Sequence, residues 1–212
     1  TLDLGRLAPS PLEELRRRSE ARGLCDANGR RLRGAPWGMQ LAHAGEVGVP
    51  WPVVRTIGFQ RVTPDGLTFL LRRKTSGIAP LAVSLAYVEG KYRAGEVCEQ
   101  WRCEGLAHVV SVADVAKTAP PSSFAQILAA GLAEPHDREG FLQETARSMQ
   151  RLERGEVDAS EIERGVVVYE LRPLRVELLI GGPSFEAWER VEWRREEDQS
   201  AWRAPQRILP YC

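Results

Sequence analysis

Apolar and polar residues alternate with a period of two over much of this chain, and recur with a helical period across a block in its middle. Val53–Gln60 reads as a strand, Thr63-Pro-Asp-Gly66 as a turn and Leu67–Leu71 as the returning strand. Proline early in a four-residue turn and glycine at its end favour that reading. Leu81–Val88, Glu96–Cys103 and Leu106–Val112 are further β-rich runs, and Gly105 is expected at a bulge or bend between the last two. Ser122–Ala133 carries Phe124, Ile127, Leu128 and Leu132 at helical spacing. Pro135–Arg154 predicts a longer helix, capped by Asp137, with Phe141, Leu142, Ala146, Met149 and Leu152 on one face and Gly155 as its stop. Strand patterns return at Val166–Leu171, Arg175–Ile180 and Phe185–Trp193, followed by a polar loop over Arg194–Ser200. Near the start, Ser10, Pro11 and Gly23 frame a short amphipathic helix over Leu12–Gly23.

The strands are joined mostly by turns, which favours antiparallel pairing over a doubly wound parallel sheet. The expected fold is mainly β (α+β): an antiparallel β-barrel with an N-terminal helix and a helical insertion over about 122–155. No Pro/Ser-rich linker divides residues 1–212, so one domain is expected.

Composition narrows the function classes. The 29 basic and 29 acidic residues cancel, which argues against general nucleic-acid binding. Cys25, Cys98, Cys103 and Cys212 form no metal-ligand spacing with each other or with His43, His108 and His136, so no metal is expected. No apolar run approaches the roughly 20 residues that span a bilayer. Reduced thiols point to an intracellular chain, cytoplasmic or organellar. The start at Thr1 leaves an organelle presequence open.

Several constellations could carry chemistry. Arg55, between Val54 and Thr56 in a strand, could hold a phosphate through paired N–H groups, or be an ordinary solvated arginine. Gln100 and Arg102 share a strand face, while Trp101 and Cys103 face the other way. That pair could read the edge of a ring, or stand in a charged ladder with Glu99 and Glu104 as cross-strand partners. Arg72-Arg73-Lys74-Thr75-Ser76-Gly77 could form an anion nest or a solvated basic loop. Trp188 and Arg190 share a face, and Trp188 could stack on a planar ligand or fill the barrel. No GxSxG or activated cysteine context supports nucleophilic catalysis.

The order of these features resembles the pyridoxamine 5′-phosphate oxidase-like flavoprotein superfamily, in its cyanobacterial and plant branch, over roughly Leu12 to Pro210. Carrying the resemblance are Val54–Phe59, Glu99-Gln-Trp-Arg-Cys-Glu-Gly105, Glu177, Arg190 and the ending Trp202…Leu209-Pro210. It implies a split β-barrel that forms a homodimer and binds FMN between subunits. Arg55 and Thr56 would then meet the FMN phosphate, with Lys74, Thr75 and Ser76 in the phosphate loop. Gln100 and Arg102 would lie at the flavin, and Arg190 would also reach the cofactor. Gln60 stands where the family has lysine, and Ser76-Gly77-Ile78 where it has Ser-Arg-Lys. Glu186-Ala187-Trp188 stands at the family's substrate-binding Arg-x-His. A glutamate there repels a phosphate, so Glu186 and Trp188 imply a substrate other than pyridoxamine phosphate.

Two functions follow as expectations. One is an FMN-dependent oxidoreductase acting on a small molecule that the sequence does not name. The other is a cofactor-less relative that serves as a binding or structural subunit of a larger complex.

Overall fold

The computed structural model describes residues 3–30, 32, 38–43, 53–72, 82–89, 98–116, 121–132, 137–181 and 188–208. Among these residues, eight strands form one antiparallel sheet: β1 (Gly38–His43), β2 (Val53–Val62), β3 (Leu67–Arg72), β4 (Ala82–Glu89), β5 (Cys98–Val110), β6 (Val166–Gly181), β7 (Glu189–Arg194) and β8 (Gln206–Ile208). Their order is β3-β2-β1-β4-β5-β6-β7-β8, and β3 also pairs with β6. Six strands therefore close into a barrel. β7 and β8 extend from it along the second half of β6.

The β2–β3 turn follows the expected chemistry. The Gly66 N–H donates to Thr63 Oγ1 at 2.9 Å, and the Thr63 N–H donates to the Gly66 carbonyl at 2.8 Å. A Cβ on Gly66 would fall on the Leu171 carbonyl of the neighbouring strand, so only glycine fits that corner.

The two strand pairs expected around Gly105 and around Arg172–Leu174 are each one continuous strand. The β5–β6 register slips by one residue, from Glu104 opposite Arg175 to Gly105 opposite Pro173. A side chain on Gly105 would collide with the Arg172 carbonyl and the Pro173 Cα. Glycine and proline thus face each other at one shared bulge. Both strands bend there together and neither ends.

The barrel interior is filled by Leu41, Ile57, Leu67, Phe69, Trp101, Cys103, Tyr169, Leu178, Val191 and Trp193. Trp101 and Trp193 stack with centroids 6.1 Å apart, and Phe69 and Tyr169 at 5.6 Å. Helix α1 (Pro11–Ala21) lays Leu12 and Leu15 into this core. Its Glu14 is fully buried and accepts hydrogen bonds from the Ala8 N–H at 3.1 Å, Arg17 at 2.7 Å and Arg18 at 2.5 Å. Burial alone would raise the Glu14 carboxyl; the Arg17 and Arg18 hydrogen bonds outweigh it and hold the group below its usual value.

The helical block is wider than the sequence pattern predicts. It runs from α2 (Val112–Ala116) through α3 (Pro121–Leu132) and α4 (Arg138–Glu153) to α5 (Ala159–Gly165). α2 and α5 span only 5 and 7 residues, too short to print a helical period. Asp137 caps α4 as expected, accepting from the Gly140 N–H at 2.8 Å. Val112, Val115, Phe124 and Ile162 pack on Leu70, Val166 and Val168. These three strand residues alternate with the interior-facing Phe69, Leu71, Val167 and Tyr169, so the helices cover the barrel's outer wall at β3 and β6.

Candidate functional site

Three neighbouring strands build the site, and their register decides which side chains meet. Gln100, Leu179 and Arg190 form one row, Arg102, Glu177 and Glu192 the next, and Glu104, Arg175 and Arg194 a third. The alternate residues Trp101, Leu178, Val191, Cys103, Val176 and Trp193 turn into the core. Apolar packing on one face therefore fixes a polar set on the other.

Glu177 is the centre of that set. It is 3% exposed and accepts from Arg190 Nε at 3.1 Å and Nη2 at 2.6 Å. Arg175 is ion-paired with its other oxygen, and Arg102 Nη1 lies 3.8 Å away. Glu192, 6% exposed, accepts from Arg175 at 2.5 Å and from Arg194 at 2.5 and 3.1 Å. Burial would raise the Glu192 carboxyl, but the hydrogen bonds from Arg194 and Arg175 hold it below its usual value. Arg175 also donates to Glu104 at 3.1 and 3.3 Å. Such density of partners is what lets the buried Glu192 carboxylate stay ionised. Arg102, with 46% of its side chain exposed, is the most open cation touching Glu177.

Trp188 joins the same face. Gly181 follows Leu179 on that side of β6, and a Cβ there would lie 2.7 Å from Trp188 Cε2. The indole therefore rests on the bare backbone of Gly181, beside the Gln100–Arg190 row. This places Trp188 outside the barrel filling.

Of the residues singled out from sequence, Gln100, Arg102, Trp188 and Arg190 converge on this face. Arg55 and Thr56 lie in β2, opposite Leu41 and Gln40, and their side chains are outside the described residues. Lys74, Thr75, Ser76 and Glu186 are outside the described residues altogether. Glu99 and Glu104 do not act together as a ladder. Glu104 meets Arg175, whereas Glu99 alternates to the other face, where Arg18 of α1 and Arg22 just past its end hold it, Arg22 at 2.8 Å. Sequence reasoning missed Arg175, Gly181, Glu192 and Arg194. The charges two residues apart in Arg175-Val-Glu177 and Arg190-Val-Glu192-Trp-Arg194 are the signal that could have found most of them.

Burial pushes the Cys103 thiol up to about 12 and the Cys25 thiol up to about 11, so both are protonated core groups. Among the described residues, no group of three or more His, Cys, Asp or Glu could hold a metal ion, and no helix is long and apolar enough to cross a membrane.

Two solved structures share this architecture along almost the whole chain. PhzG from Burkholderia lata 383, in complex with tetrahydrophenazine-1-carboxylic acid, superposes with a TM-score of 0.63 at 16% identity, covering 99% of this chain and 98% of its own. A pyridoxamine 5′-phosphate oxidase-related, FMN-binding protein from Nostoc punctiforme PCC 73102 superposes with a TM-score of 0.59 at 20% identity, covering 97% and 99%. No protein-family model and no curated protein sequence matches the chain. At these identities the likeness establishes the fold. The chain has the split β-barrel fold of these two proteins.

Proposed function

We propose that this chain binds FMN against the β5–β7 face, as one half of a homodimer, and acts as an oxidoreductase on a small molecule other than pyridoxamine phosphate. The observation that carries the proposal is the convergence of Gln100, Arg102, Trp188 and Arg190 on one face of a fold shared over full length with an FMN-binding protein. The donor set suits a flavin ring. Gln100 offers an amide, Arg102 a half-open guanidinium, and Trp188 an aromatic surface beside them. Arg190 is engaged by Glu177, so its part is to fix that carboxylate and, through it, the stance of Arg102. Arg55 and Thr56, with Lys74, Thr75 and Ser76, are the proposed phosphate-binding residues. FMN, when bound, supplies hydride acceptance; the protein's part is to orient the ring edge and exclude water. Glu186 would disfavour an anionic substrate group.

The test is reconstitution with FMN, followed by flavin absorbance and quenching of flavin fluorescence. Saturable uptake, weakened about tenfold by Arg102→Gln, is the expected result. Failure of the folded dimer to take up FMN sinks the proposal.

A second reading has its own support. The four arginines and three glutamates of this face largely satisfy one another without a ligand, as a binding subunit of a larger assembly would need. Stoichiometric co-purification with other chains, together with failure to bind FMN, would favour it.

A further inference from the structure

A second concave site lies away from the β5–β7 face. Its open cavity of about 480 Å³ is bordered by the first two turns of α1, the Ala27–Asn28 turn, the β2–β3 turn and the segment from Arg195 to Trp202. None of Gln100, Arg102, Trp188 or Arg190 lines it. Its size is ordinary for a small-molecule site.

Three guanidinium groups reach it: Arg16, Arg61 and Arg195. What distinguishes them from the arginines on the β5–β7 face is how they are held. Arg16 Nη1 donates to the Ala27 carbonyl at 2.7 Å, Arg61 Nε to the Asn28 carbonyl at 3.2 Å, and Arg195 Nε to the Pro173 carbonyl at 2.8 Å. Arg195 also donates to the Asp65 carbonyl at 3.3 Å and lies 4.6 Å from the ring centroid of Trp202. Neutral carbonyls orient a cation without cancelling its charge. Among the described residues, Arg16 alone of the three also has a carboxylate in ion-pair contact, Glu20 at 3.3 Å. Burial presses against the charge on Arg195, with Asp65 offsetting it in part. An anion entering the cavity would relieve that cost. Among the described residues, the other charged groups lining it are Glu13 and Asp65, and Glu20 outside the lining offsets Arg16, which leaves Arg61 and Arg195 as the cations held by carbonyls without a carboxylate ion pair. Leu12, Val62, Pro64 and Trp202 add an apolar wall.

We propose that this cavity is a binding site for a small organic acid with a flat, apolar body, its carboxylate meeting Arg61 and Arg195 and its body lying along Val62, Pro64 and Trp202. The site is separate from the proposed flavin site and stands whether or not FMN binds.

The probe is 2-naphthoate, titrated into the full chain carrying ¹⁵N-labelled tryptophan, with the Trp202 indole N–H assigned through Trp202→Phe. The expected result is a saturable shift of that resonance. Arg61→Gln weakens binding about tenfold, the worth of one charge-assisted hydrogen-bonded contact. Arg61→Lys restores most of it, which separates charge from any effect on folding. Inorganic phosphate and neutral 2-naphthalenemethanol bind at least about tenfold more weakly than 2-naphthoate, by the same arithmetic. No saturation up to millimolar ligand overturns the proposal. So does equal binding of the alcohol or of phosphate, or an affinity unchanged in Arg61→Gln.

Discussion

Glu177→Ala is the substitution that most directly tests the energetics of the β5–β7 face. It removes the carboxylate shared by Arg102, Arg175 and Arg190. The three arginines will not respond alike. The side chains of Arg102 and Arg175 are 46% and 30% exposed and can turn toward water, and Arg175 keeps Glu192. Arg190 is 9% exposed and cannot, so its buried charge loses its principal acceptor. Breaking one partner of a buried pair typically costs about 3–5 kcal/mol, and the lower end applies because two of the three cations re-solvate. A loss of about 3 kcal/mol corresponds to a melting temperature lowered by roughly 6–12 °C for a chain of this size. The assay is urea unfolding at fixed ionic strength for wild type, Glu177→Ala, Arg190→Leu and the double variant. The double variant removes both charges together and should cost less than the sum of the single changes by about 1.5 kcal/mol or more. Additivity within about 0.5 kcal/mol would refute the view that Glu177 and Arg190 depend on each other.

Two further perturbations probe other parts of the structure. The Glu192 carboxyl is held below its usual 4.5 in the folded chain. Its contribution is therefore complete above its unfolded value and disappears as pH falls through the lower folded one. Glu192→Gln should flatten the loss of stability between about pH 5 and pH 2, measured by urea midpoints across that range; an unchanged slope contradicts the assignment. Gly105→Ala places a methyl on the Arg172 carbonyl and should lower the unfolding free energy by about 2–3 kcal/mol. A neutral effect in the same urea assay would show that the bulge has room.

Local residue chemistry was legible where one element writes its own signal. Pro11, Asp137 and the Thr63–Gly66 turn marked their boundaries because caps and turns are short-range; Ser10 takes the N-cap position of α1 but its side chain makes no capping hydrogen bond. Gly105 marked the bend for the same reason, but not that β5 runs through it. Whether a kinked strand ends or continues depends on what Arg172 and Pro173 do across the ladder, and that is a long-range fact. The site divided in the same way. Alternation sufficed to put Gln100 and Arg102 on one face and Trp101 and Cys103 on the other. It could not supply Glu177 and Glu192 as partners, because those pairings follow from the register of three strands distant in sequence. The family resemblance reached further than periodicity for Arg190, which it assigned to the cofactor before any register was known; Glu177 it marked only as part of the pattern.

The long strand β6 has a consequence for how this molecule can change over evolutionary time. Its first half closes the barrel against β3, and its second half presents Arg175, Glu177 and Leu179 between β5 and β7. Both halves hang on one ladder. An inserted or deleted residue in β6 would invert every side chain beyond it, exchanging Val176 and Leu178 for charges in the core. Inherited length variation should therefore be absent from β6 and gather in the segments that join the strands. The chemistry of the face can drift only by substitution.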